Sequence, residues 1–150
     1  MYKKGILFSI LFGSMILVQI ACRKDNINNN NITLISLIGS WELKREQSGM
    51  LPIINYTSGN GNILKFTDSD FQIFANGQLI KSGQYSIIGD NSVTAEVCLV
   101  IATDQYRNRI IYNDNPSGNK VFVQVFENKL TFLSGCFALD AGNYKEYLRN

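Results

Sequence analysis

The stretch NILKFTDSDFQIFANGQLIKSGQYSII, Asn62 to Ile88, holds three short apolar-patterned runs and two turns. Successive side chains of a strand point to opposite faces, so a half-buried strand alternates apolar and polar residues. Asn62–Thr67 does this with Leu64 and Phe66 on one face, and Asp68-Ser69-Asp70 then turns the chain. Phe71–Phe74 returns with Phe71 and Ile73 sharing a face. Asn76-Gly77 is a strong hairpin signal, because both residue types accept the positive φ of a two-residue turn. Gln78–Ile88 follows and places Tyr85 and Ile87 together. Strands joined by such short connections pair antiparallel, since parallel pairing needs long crossovers.

The same grammar extends in both directions. Upstream, Trp41–Arg45 is a run of its own, preceded by Leu34, Ile35, Leu37 and Ile38, whose crowding suits a plug-like turn. Pro52 and Gly59-Asn60-Gly61 mark the longest loop, expected near an open barrel end. Downstream, Gly89-Asp90-Asn91 turns into Val93–Ile101, expected as a strand with Val93, Ala95, Val97, Leu99 and Ile101 on one side. Arg109–Tyr112, Val121–Phe126, Lys129–Leu133 and Tyr144–Arg149 complete the set, with loop composition over Asn113–Asn119. About nine short strands with turns between them indicate an all-β domain, a single antiparallel up-and-down barrel over residues 33–150.

Ahead of that domain, Lys3 and Lys4 precede an apolar stretch from Gly5 to Ala21, broken only by Ser9, Ser14 and Gln19. A positive flank, an apolar middle and a small residue at the end form the order of a secretory signal. Ala21-Cys22 resembles the lipobox of bacterial lipoproteins, although Gln19 stands where that family usually has an aliphatic residue. The resemblance implies removal of residues 1–21 and acylation of Cys22, palmitate being one such acyl group. Lipid on Cys22 holds a protein stably, each buried CH₂ contributing about 0.8 kcal/mol. Arg23 follows where an aspartate would imply retention at the inner membrane, so the expected address is the outer membrane, periplasmic or surface-exposed. Lys24-Asp25 also resembles a surface-export signal, with a solvated tether as the alternative. Residues 22–32, rich in Asn, read as that tether.

Composition narrows the functions. Removing residues 1–21 from a chain of 150 leaves 129, enough for one domain with its own core. The whole chain has 14 basic and 12 acidic residues; Lys3 and Lys4 leave with the signal, so 12 face 12 behind it. A neutral domain offers no electrostatic case for nucleic acid. The absence of histidine excludes serine–histidine and cysteine–histidine catalysis and histidine metal sites. Cys98 and Cys136 form an even pair in an oxidising compartment, where a disulfide is the usual outcome. Two free buried thiols are the alternative.

Leu37-Ile38-Gly39-Ser40-Trp41-Glu42-Leu43 is similar to the Gly-x-Trp opening of lipocalins. Leu64-Lys65-Phe66 before an acidic turn, Gly83 to Ile87, Lys129 to Phe132 and Tyr144 to Arg149 follow in a compatible order. Together they resemble the short lipocalin-like lipoproteins of Gram-negative bacteria over Leu34–Arg149. The resemblance implies that Trp41 sits at a closed barrel end with Arg149 packed across its ring, a structural pair. Thr103-Asp104-Gln105-Tyr106 is only a loose counterpart of the family's Thr-Asp-Tyr motif.

Candidate chemistry is thin. Asp68 and Asp70 lack the loop of a cation site and read as a hairpin turn; Glu96 is a lone carboxylate, and nothing near Cys98 in sequence activates a thiol. No cofactor, metal or catalytic set is expected. Phe66, Phe71, Tyr85 and Phe132 are expected inside the barrel, either as core or as the lining of a pocket. Two roles follow: a calyx for a small hydrophobic ligand, or a packed barrel binding a protein partner through the loops at 49–61 and 102–119. A lumen of about 300 Å³ or more favours the first and a filled one the second.

Overall fold

The computed structural model describes residues 36–102 and 104–150. The signal segment, Cys22, the tether, Leu34, Ile35 and Thr103 lie outside the described residues. In chain order the elements are β1 (Gly39–Ser48), β2 (Ile54–Asn55), β3 (Ile63–Phe66), β4 (Asp70–Ala75), β5 (Gln78–Gly89), α1 (Val93–Val97), β6 (Asn108–Tyr112), β7 (Val121–Phe126), β8 (Lys129–Ser134), a 3₁₀ turn (Phe137–Leu139) and β9 (Asn143–Arg149). Each barrel strand pairs antiparallel with its neighbours, and β1 pairs with both β3 and β9. That last pairing closes eight strands into a barrel. The two-residue β2 extends the pairing on β1, through Arg45 with Asn55 and Glu46 with Ile54.

The expected all-β, up-and-down barrel is therefore the observed architecture, and its turns follow the expected chemistry. Asn76 and Gly77 take φ of 50° and 80°, the left-handed values that the tight β4–β5 turn requires. At the β3–β4 turn, Asp70 N–H donates to Thr67 Oγ1 (3.0 Å) and Thr67 N–H to Asp70 O (2.9 Å), so this acidic segment is a turn.

Val93–Ile101 corrects the sequence reading. Its first half is helix α1 and none of it is strand. Val93 and Val97 lie four apart, a spacing that fits one face of either element. Only these two are buried; Ala95 and Leu99 are exposed. Asp90 accepts hydrogen bonds from Ser92 N–H (2.9 Å) and Ser92 Oγ–H (2.6 Å), bending the chain into the helix. Cys98, at φ 55°, ends it in the left-handed region. The ninth strand is instead β2, inside the segment read as loop.

Two apolar clusters result. The barrel interior holds Trp41, Leu64, Phe66, Phe71, Leu130 and Phe132 among others. Outside the wall, Val93, Val97 and Tyr106 cover Phe122 and Leu133. Alternation on β7 explains the division: Val123 packs inward while Phe122, fully buried, points outward under the α1 segment. A Cys98–Cys136 disulfide, Cα atoms 5.0 Å apart, fastens that segment to the β8–β9 connection. Lys120 bridges Asp90 (3.3 Å) and Glu96 (2.9 Å), and Arg109 Nε lies 3.2 Å from Asp90, pinning its start.

Candidate functional site

One barrel end is shut. Trp41, with no exposed surface, donates its indole N–H to Leu37 O at 2.7 Å. Arg149 Cζ lies 4.2 Å from the ring centroid, and the guanidinium donates to Ile38 O (2.9 Å) and Ser36 O (2.6 Å). The backbone ahead of β1 is thereby held across the opening. Gly39 makes this approach possible. It adopts φ of +137°, and a Cβ there would stand 2.7 Å from Arg149 Nη1. Trp41 and Arg149, singled out in the sequence, thus meet.

Above the plug, Phe66 and Tyr85 stack edge to face with centroids 4.8 Å apart, and Tyr85 Oη–H donates to Thr67 O (2.7 Å). Beyond them the lumen opens into a cavity of about 250 Å³. Leu64, Phe71, Ile73, Tyr112, Phe132 and Tyr147 form its apolar wall, and Lys81, Ser134, Asn143 and Lys145 reach its mouth. Burial pushes the Tyr112 and Tyr147 hydroxyls well above the ordinary tyrosine range, and it raises Tyr85 to about 12. All three shifts have burial as their largest cause, as expected of a poorly hydrated lumen.

Of the four expected inward aromatics, all are buried in the inner cluster. Phe71 and Phe132 line the cavity. Phe66 and Tyr85 do not; they pack against each other toward the plug, the core alternative of the two expected. Sequence reasoning missed Lys81, Tyr112 and Lys145. The signal was present, since Lys81 shares the strand face of Tyr85, and Lys145 that of Tyr147.

The mouth is basic. Lys81 Nζ sits 6.0 Å from the Phe71 centroid and 5.9 Å from that of Tyr112. Lys145 Nζ lies 3.4 Å from Glu46, which also accepts a 2.7 Å hydrogen bond from Tyr56 Oη–H. A larger groove of about 600 Å³ runs along β3, β4 and β5, open to solvent and lined by the exposed Lys65, Gln72, Ser82 and Gln84 together with Phe66 and Phe71.

Other candidates resolve as structure. Glu42, 6 % exposed, accepts hydrogen bonds from Lys44 and from the N–H groups of Gly59 (2.6 Å) and Asn60 (3.1 Å). The Lys44 contact is the largest cause holding its carboxyl below the usual range. It clamps the β2–β3 loop to β1. Among the described residues no cluster of three metal-ligating side chains occurs, and no helix is long and apolar enough to cross a membrane.

No family model matches the chain, and no curated protein or solved structure is found similar to it.

Proposed function

We propose that this chain is an exported, lipocalin-like lipoprotein, acylated on Cys22 and held at the outer membrane, whose barrel binds a small hydrophobic ligand without catalysis. The observation that carries the binding reading is the apolar cavity of about 250 Å³, plugged at the Trp41 end and reachable from the other. Its size falls just short of the roughly 300 Å³ set above for a calyx and is not that of a filled barrel, so a ligand there is small. The anchor reading rests on the order of Lys3-Lys4, the apolar run and Ala21-Cys22. Cys22→Ser is expected to abolish incorporation of labelled palmitate, and undiminished labelling overturns it.

Fluorescence titration with the neutral dye N-phenyl-1-naphthylamine tests the pocket. Saturable uptake by the chain, weakened at least about tenfold when Ile73→Trp fills the lumen, supports it. Absence of uptake, or uptake indifferent to that substitution, counts against it. One observation favours the second reading, a barrel used as an envelope or surface protein-interaction module. Met50 and Leu51 are 83 % and 66 % exposed on the loop after β1, with Ile53 and Ile54 half exposed beside them. If the dye fails, that loop becomes the place to seek a partner.

A further inference from the structure

We infer that the ligand is a small anionic amphiphile, its single acidic head held at the mouth by Lys81 and Lys145 and its apolar body in the lumen; this rests on the pocket reading above. The strand order supplies the geometry. In the closed ring β1, β3, β4, β5, β6, β7, β8, β9, strands β5 and β9 stand four places apart in either direction. Lys81 on β5 and Lys145 on β9 therefore rise from opposite walls of the same opening, and both line the cavity.

Charge at the mouth is unbalanced. Glu46 faces Lys145 and is already engaged by Tyr56. Lys81 makes no carboxylate ion pair among the described residues, and its ammonium lies instead near the Phe71 and Tyr112 rings. One positive charge thus remains for a ligand. An ammonium above an apolar wall is partly desolvated, and an incoming carboxylate or sulfonate gains a charge-assisted hydrogen bond there. Ser134 and Asn143, directly paired across β8 and β9, add polar groups at the same rim. A cavity of about 250 Å³ equals roughly eight water-sized volumes of about 30 Å³ each, room for one or two rings or a short chain.

Calorimetric titration of the full chain with 2-naphthoate and with its neutral counterpart 2-naphthalenemethanol tests this. The acid is expected to bind at least about tenfold more tightly, the ratio that one net hydrogen bond to a charged group supplies. Lys81→Met is expected to bring the ratio near one, and a circular dichroism spectrum and Tm matching those of the parent show that the barrel is intact. Equal affinity for acid and alcohol in the unaltered chain overturns the anionic head and leaves the pocket standing. A preference that survives Lys81→Met overturns the role of Lys81. Binding of neither compound overturns pocket and head together.

Discussion

Arg149→Met removes the guanidinium from the closed end while keeping an apolar stem against Trp41. Three interactions disappear. The cation–π contact at 4.2 Å is worth about 0.5–1 kcal/mol at an exposed site. The hydrogen bonds to Ser36 O and Ile38 O, at 2.6 and 2.9 Å, have a charged donor but an exposed side chain, so each is discounted to about 0.5 kcal/mol. The expected loss is about 2 kcal/mol, or roughly 5–10 °C in Tm for a domain of this size. Trp41 is the single tryptophan in the chain and reports on this end directly. Urea and thermal unfolding followed by its emission should show the earlier transition, with red-shifted native emission as the plug loosens. Arg149→Lys should recover less than half, because an ammonium cannot fork to two carbonyls while covering the ring. A midpoint within about 1 °C of the parent, with unchanged emission, refutes the plug as a source of stability.

Two further outcomes follow from the wall and the β1 clamp. Replacing Cys98 and Cys136 together by serine opens a loop with a sequence separation of 38 and should cost roughly 3–4 kcal/mol, read by urea denaturation. Proteolysis is expected to begin within residues 90–107 of that variant, since the disulfide fastens this segment over Phe122; unchanged stability and cleavage contradict it. Glu42 ordinarily titrates near 4.5 and is held lower when folded, chiefly by Lys44. The unfolded chain therefore takes up the proton first, so the stability this group contributes is complete above 4.5 and lost as pH falls through its folded value. Glu42→Gln should flatten the acid limb of the stability–pH curve, and an unaltered limb speaks against the clamp.

Much of the barrel was legible because its strands obey one short-range rule. Leu64, Phe66, Phe71 and Tyr85 alternate with polar residues, and Asn76-Gly77 has backbone freedom that few other pairs have. What alternation cannot reveal is a segment whose burial satisfies two periods at once. Val93 and Val97 fit a strand or a helix equally; the Asp90–Ser92 turn ahead of them is a local signal for the helix, whereas the tie from Cys98 to Cys136 acts only through a three-dimensional contact. The wall behind Phe122 was hidden for the same reason, since a closed sheet with apolar residues on both faces of one strand needs a cover whose location is not written locally. In the lumen, alternation alone could not rank depth. Phe66 and Phe71 are both inward, yet only the second reaches the cavity, because the first lies nearer the plug. Lys81 and Lys145 escape a search for apolar lining because charged residues are mostly exposed. At a barrel mouth the inner face meets water, and a long side chain there keeps its head hydrated while its stem lines the wall.

Nuclear Overhauser contacts from bound 2-naphthalenemethanol to the chain offer the most direct measurement. Cross-peaks from the ring protons to Leu64, Phe71 and Phe132 side chains, with none to Trp41, are expected if the small oily lumen takes up a guest from its unplugged end. Contacts confined to Met50, Leu51 and the neighbouring loops, with the inner side chains silent, would contradict a hollow barrel as the binding element.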